Sequence, residues 1–159
     1  MADTANLDTE AAHRFFAVDC FNKTWDLIEK SDRTPAEDRL MVALTHASIY
    51  HWSQRSDCRD RNLSIGYWQA SRVHALLGNA AEARRLAEVC LSFSADLEPF
   101  FLGYAHEALA RALLVAGDTA AAMEHKRAAL AAAERIDKRE DRAVLVADLE
   151  ALETGSTPP

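Results

Sequence analysis

Apolar side chains recur every three or four residues along most of the chain, which is the period of an α-helix with one buried face. Near the N-terminus these positions form a single stripe, at Phe15, Val18, Phe21, Trp25 and Ile28. The alternation of apolar and polar residues that marks a half-buried strand is not found in the sequence. The pattern therefore predicts an all-α protein.

Proline, glycine and short polar residues divide this pattern into seven predicted helices. Few such residues interrupt the segments between the breaks, since the chain contains only five Gly and four Pro. The helices are predicted at residues 8–30, 35–54, 63–77, 80–93, 97–116, 119–136 and 139–153. Short connections between them favour antiparallel neighbours packed side by side.

Two of the predicted helix starts depend on capping residues. Thr34 can cap the second helix, Pro35 suits its first position, and Glu37 can reach back to the Thr34 amide. Asp96 is the predicted N-cap of the fifth helix, whose first turn would contain Pro99.

The second half of the chain contains the same turn twice. Gly78 followed by Asn79 would end one helix and cap the next, and Gly117 followed by Asp118 would do the same 39 residues later. The flanking positions also correspond, as Ala70 with Leu109, Ser71 with Ala110, His74 with Leu113 and Ala83 with Ala122.

These matches resemble the tetratricopeptide repeat (TPR), in which a helix with a large-small-large pattern is followed by a Gly-Asp turn and an early Ala in the second helix. The aromatic residue of that second helix is replaced here by Ala87 and Lys126. The resemblance implies an α-α superhelix of about three antiparallel hairpins plus a capping helix. Residues 1–159 would form one domain, with a divergent N-terminal pair at 8–62, two repeats at 63–136 and the cap at 139–153.

In this family the first helices of the repeats line a concave face that binds peptides. Carried over by repeat position, the resemblance implies a TPR-like module for protein or peptide segments, with this face bearing Trp68, Arg72, Tyr104, Glu107 and Arg111. Two guanidinium groups beside aromatic rings would suit an acidic segment or a C-terminal carboxylate. Under the alternative interpretation, both arginines pair with Glu107 or with solvent on an ordinary hydrophilic face.

A second hypothesis is a small-molecule-binding or enzymatic protein that uses His46, Tyr50, His51 and Trp52. His46 and His51 are five residues apart and do not share a helix face, so a metal site is not predicted there. We expect His74 and His106 to serve as packing residues, and His13 and His125 to be exposed.

Composition and charge narrow the remaining choices. A chain of 159 residues with a net charge of −7 is long enough for one core and is a poor match for nucleic acid. Three widely spaced cysteines and the lack of a long apolar run favour a cytoplasmic protein without a membrane partner. No cofactor motif is present, and self-association into a homodimer is a further alternative.

Overall fold

Seven helices and no strand are formed by residues 8–152, the part of the chain that the computed structural model describes. The helices are α1 (Thr9–Ile28), α2 (Pro35–Ser53), α3 (Asp60–Leu76), α4 (Ala80–Ser94), α5 (Pro99–Val115), α6 (Thr119–Ala133) and α7 (Arg139–Ala151). The prediction of an all-α fold is confirmed.

Consecutive helices pack as hairpins, which are α1 with α2, α3 with α4, and α5 with α6. Neighbouring hairpins touch through the contacts of α2 with α3, α4 with α5, and α3 with α5. The last helix, α7, packs against both α5 and α6. The hairpins therefore follow one another in a superhelical stack, and α7 covers its C-terminal end.

The predicted start of α2 is confirmed in detail. The Thr34 side chain accepts a hydrogen bond from the Glu37 amide at 3.3 Å, and the Glu37 carboxylate accepts one from the Thr34 amide at 2.8 Å. Pro35 is the first residue of the helix, where a missing amide hydrogen costs nothing.

Two other predicted starts were wrong. α3 begins at Asp60 instead of Leu63, since the Asn62 side chain accepts from the Arg59 amide and closes an earlier turn. Asp96 does not cap α5. That helix starts directly at Pro99, after a turn in which the Leu97 amide donates to the Ser94 carbonyl.

Both glycine turns have the left-handed backbone that glycine adopts without a steric penalty. The φ angles are 76° at Gly78 and 81° at Gly117. The residues that follow, Asn79 and Asp118, each accept a backbone hydrogen bond on their side chains and so cap α4 and α6. The repeated Gly-then-cap turn thus joins the two helices of each of these hairpins.

The apolar core is divided into small clusters along the stack. Ile28, Met41 and Val73 join the first hairpin to α3, and Leu145 and Leu149 of α7 close the other end against α5 and α6. Many of the intervening core positions are alanine: Ala70, Ala75, Ala83, Ala87, Ala108 and Ala112. Small residues at these positions let neighbouring helices approach closely.

Gly103 marks the tightest of these approaches. A Cβ atom at this position would lie 2.5 Å from Leu145 Cδ2, and Leu145 is fully buried. We expect Gly103→Ala to lower the free energy of unfolding by about 1–2 kcal/mol, because the overpacking outweighs the gain in helix propensity. Gly66→Ala is the matched control, since its Cβ would meet the Ile49 side chain less closely, with Cγ1 at 3.0 Å and Cδ1 at 4.0 Å. Urea unfolding followed by circular dichroism should rank Gly103→Ala as the less stable variant, and equal stability would contradict the prediction.

Candidate functional site

Side chains from four helices meet in a cluster of aromatic and charged groups. We call it the aromatic-arginine cluster, and it consists of Trp25 from α1, Trp68 and Arg72 from α3, Tyr104, Glu107 and Arg111 from α5, and Asp148 from α7. The five residues predicted from the repeat register therefore lie together. Trp25 and Asp148 were not predicted.

Glu107 lies at the centre of the cluster and is completely buried. Its Oε2 atom accepts a hydrogen bond from Trp68 Nε1 at 2.8 Å. Its Oε1 atom accepts from Arg111 Nε at 3.0 Å, and the Arg111 Nη2 group donates to the same oxygen. One carboxylate thus ties α3 to α5 and neutralises one guanidinium.

Tyr104 links this centre to α7. Its hydroxyl donates to Asp148 Oδ2 at 2.8 Å, and its ring meets the Trp68 indole edge to face, with the centroids 5.4 Å apart. Burial raises the pKa of the Tyr104 hydroxyl, and the hydrogen bond to Asp148 raises it further. Tyr104 therefore remains a neutral donor at physiological pH.

Arg72 is the one charged group of the cluster that lacks a polar partner among residues 8–152. Its side chain lies against the rings of Trp25 and Trp68, with the guanidinium carbon 5.5 and 5.7 Å from their centroids. The residue is only 7% exposed, yet it forms no hydrogen bond or ion pair within the described part of the chain. Since no fully buried side-chain nitrogen there lacks a partner, the Arg72 nitrogens must reach solvent.

The cluster around Arg72 contains equal numbers of positive and negative charges. Burial lowers the pKa of the Arg72 guanidinium, and the nearby Arg111 lowers it further, while the carboxylates of Glu107 and Asp148 oppose this lowering. Arginine nevertheless stays protonated in proteins. The cluster thus holds two cations and two carboxylates. The Arg111 guanidinium donates to Glu107, whereas the Arg72 donors are free for an acceptor from outside.

Two apolar cavities share Ile65 of α3 as a wall, and Trp68 and Tyr104 of the cluster line the first of them. The first, of about 260 Å³, is lined by Ser64, Ile65, Trp68, Phe100, Phe101 and Tyr104. The second, of about 220 Å³, is lined by Val18, Phe21, Trp52, Asn62 and Ile65. No acidic or basic side chain lines either cavity. Each has room for a large apolar side chain.

The two arginines predicted to be equivalent have different surroundings. The residue one turn before Arg111 is Glu107, and the residue at the same place before Arg72 is Trp68. The alternative interpretation gave the arginines two partners, Glu107 or solvent; within residues 8–152 Arg111 pairs with Glu107, and the Arg72 nitrogens reach solvent. Trp68 offers Arg72 an aromatic surface and no charge.

Comparisons with known proteins give no information about this site, so its role is inferred from its geometry. No protein family, curated protein or solved structure matches the chain. What indicates a site is thus the recessed cation of Arg72 beside two apolar cavities.

Of the side chains in the second hypothesis, Tyr50 and His51 contact each other, with their ring centroids 5.3 Å apart. Tyr50 is 56% exposed, and Trp52 lies under the Arg55 guanidinium, 3.8 Å from its carbon to the ring centroid. His46 and His51 each contact a histidine on another helix. The four residues thus do not line a common cavity among those described.

All six histidines of the chain form pairs between helices. His13 contacts His51 through their Nδ1 atoms at 2.8 Å, His46 contacts His74 through Nε2 at 3.3 Å, and His106 contacts His125 through Nδ1 at 3.0 Å. His13 and His125 are partly buried rather than exposed as predicted. One ring of each pair must be a neutral acceptor for the contact to be a hydrogen bond.

Within residues 8–152, no three His, Cys, Asp or Glu side chains are placed to hold a metal ion together. None of the helices in this range has both the length and the apolar character needed to cross a membrane.

Proposed function

We propose that this protein is a TPR-like interaction module that binds a protein or peptide segment on the face formed by α1, α3 and α5. The segment would be acidic or would present its C-terminus. The observation that carries the proposal is Arg72, a nearly buried cation whose donors have no acceptor in residues 8–152. Its five N–H groups match the two oxygens of a carboxylate.

The surroundings of Arg72 support a role in binding. Trp25, Trp68 and Tyr104 provide large, rigid surfaces of the kind that dominates binding energy at interfaces. Because Glu107 and Asp148 already hold Trp68 and Tyr104 in place, little conformational entropy would be lost on binding. The site is thus preorganised.

Other properties support a cytoplasmic interaction protein without a nucleic-acid partner. The net charge of −7 opposes binding to phosphate backbones. Cys20, Cys58 and Cys90 are all free thiols, as expected in a reducing compartment. The hairpin stack and its repeated Gly-then-cap turns fit the TPR-like assignment.

The test compares partner binding by the wild type and an Arg72→Glu variant. A partner is captured from a lysate of the native host, and its binding segment is then titrated as a purified peptide. We expect Arg72→Glu to weaken binding by about tenfold to a hundredfold, since it removes a charged hydrogen-bond donor and adds a negative charge that repels the ligand carboxylate. Circular dichroism would first establish that the variant keeps its helicity.

Arg84→Glu provides the matched control. Arg84 lies on the outside of α4 in an exposed ion pair with Glu88, and its replacement changes the net charge by the same amount. We expect this variant to bind like the wild type. Equal binding by Arg72→Glu and Arg84→Glu would show that the partner does not use the α1–α3–α5 face.

A further inference from the structure

The charges of the aromatic-arginine cluster restrict what kind of segment can bind. Arg72 and Arg111 contribute two positive charges, and Glu107 and Asp148 contribute two negative ones. Arg111 already donates to Glu107 through Nε and Nη2, whereas Arg72 has no hydrogen-bond acceptor among residues 8–152. A first carboxylate from a ligand would bind the Arg72 guanidinium. A second would be repelled by the carboxylates of the buried Glu107 and the partly buried Asp148, with no further unpaired cation in the cluster to offset that repulsion.

The rest of the protein also disfavours a strongly acidic ligand. The chain itself carries a net charge of −7, so a run of acidic residues would be repelled as it approaches. The two cavities beside the cluster have no basic side chain in their linings. They favour apolar side chains and would disfavour a buried charge.

A ligand carboxylate can come from a glutamate side chain or from a chain terminus, and the position of Arg72 favours the side chain. Its guanidinium is recessed between Trp25 and Trp68, and only 7% of the residue is exposed. The extended side chain of a glutamate can enter a recess of this kind while the main chain passes above it. A chain-terminal carboxylate would have to bring its own backbone into the recess.

We infer, on the basis of the proposed function, that the partner is an apolar protein segment with a single glutamate. The glutamate carboxylate binds Arg72, and two large apolar side chains enter the cavities on either side of Ile65. Of the acidic or C-terminal segments that the proposed function allows, this inference keeps those with one glutamate side chain and rejects acidic runs and terminal carboxylates.

Selection from a random peptide library displayed on phage tests the inference and does not require an identified partner. The folded wild-type protein is the bait, and an Ile65→Glu variant is the counter-selection bait. Ile65 is 37% exposed and lines both cavities, so its replacement should block them without disturbing the core. We expect enriched sequences with two large apolar residues and one glutamate.

The outcomes separate this inference from the proposed function. Enrichment of acidic runs by wild type over Ile65→Glu would overturn the single-glutamate inference and leave the proposed binding face intact. Sequences that both baits enrich equally, and that bind Arg72→Glu less tightly than wild type, would overturn the inference and leave the proposed face intact. If the wild type enriches no sequence at all, both are overturned. Enrichment of the expected pattern supports both.

Synthetic peptides with the enriched sequence then test the role of Arg72. Replacing the peptide glutamate by glutamine should weaken binding to wild type about tenfold to a hundredfold, and should leave binding to Arg72→Gln unchanged. Amidation of the peptide C-terminus should have no effect on either protein. A loss of affinity on amidation, or the same glutamate preference in both proteins, would overturn the inference. Arg84→Gln is the charge-matched control and should behave as wild type.

Discussion

Lowering the pH from about 7.5 to about 5 is expected to lower the free energy of unfolding by about 3 kcal/mol, through the histidine pairs of the fold. Burial lowers the pKa of His46, His51, His74 and His106, and the paired imidazole lowers it further for His51, His74 and His106. In each pair, protonation of both rings would place two positive charges about 3 Å apart. The folded protein therefore binds fewer protons than the unfolded chain.

The sign of the effect follows from these lowered values. An unfolded histidine has a pKa of about 6.5, so stability is fully present above that pH and falls as the pH drops toward the folded values. If each of the three pairs binds one proton fewer than the unfolded chain, the slope is about 4 kcal/mol per pH unit. We expect about half of this, because several of the rings are partly exposed to solvent. At about 2 kcal/mol per pH unit, the fall from pH 6.5 to 5 would then remove about 3 kcal/mol, a substantial fraction of the stability of a domain at the low end of the usual range of about 5–15 kcal/mol.

Other charged groups modify this dependence only slightly. Glu82 opposes the lowered pKa of His46 and His74, and Arg85 adds to it. The carboxyl groups of Glu37 and Asp57, whose ion pairs hold their pKa at about 2, lose their contribution only at lower pH. The window between pH 6.5 and 5 therefore reports mainly on the histidines.

A variant with one glutamine in each pair provides the control. His13→Gln, His46→Gln and His125→Gln together leave an amide that can still hydrogen-bond the remaining imidazole. Urea unfolding at several pH values, followed by circular dichroism, should show a slope about half that of the wild type between pH 6.5 and 5. Identical slopes in the two proteins would show that the histidine pairs do not cause the acid sensitivity.

The helices could be predicted from the sequence because their signals are local. Thr34 with Glu37, and Gly78 with Asn79, are neighbours in the chain, so their capping roles do not depend on how helices pack. The start of α5 was missed because a proline at the first position defines a helix start without a side-chain cap. Asp96, although of a capping type, was therefore not needed.

The histidine pairs could not be predicted, because they depend on packing. Their members are 38, 28 and 19 residues apart and lie on different helices, so only the three-dimensional register brings them together. Taken one at a time, the same histidines suggest packing residues or exposed side chains.

The aromatic-arginine cluster was predictable as far as the repeat extends. The 39-residue period places Trp68 beside Glu107 and Arg72 near Arg111, as the structure shows. Trp25 was missed because the first hairpin lacks the repeat pattern. Asp148 was missed because it lies on the capping helix. The period also made Arg72 and Arg111 appear equivalent. Glu107 lies four residues before Arg111 and pairs with it, whereas the corresponding residue before Arg72 is Trp68, and Arg72 has no polar partner among residues 8–152.

Replacing Glu107 by leucine is expected to destabilise the fold by about 3–5 kcal/mol, because it leaves the Arg111 cation buried without a partner. Arg111 is only 7% exposed, and its guanidinium donates to Glu107 alone within residues 8–152. The Trp68 indole would lose its acceptor as well. The free energy of unfolding in urea, measured at pH 7.5 by circular dichroism, gives the size of the effect.

The double variant Glu107→Leu, Arg111→Leu identifies the cause of this loss. With both charges removed, position 111 no longer holds an unpaired cation, and an apolar pair can pack between α3 and α5. We therefore expect the double variant to be more stable than Glu107→Leu, although it carries one more substitution. A double variant that is less stable than Glu107→Leu would mean that shape, and not the buried charge, dominates at this position. Since Arg72 does not contact Glu107 through a hydrogen bond, a double variant that folds should still show the Arg72-dependent preference for a glutamate peptide.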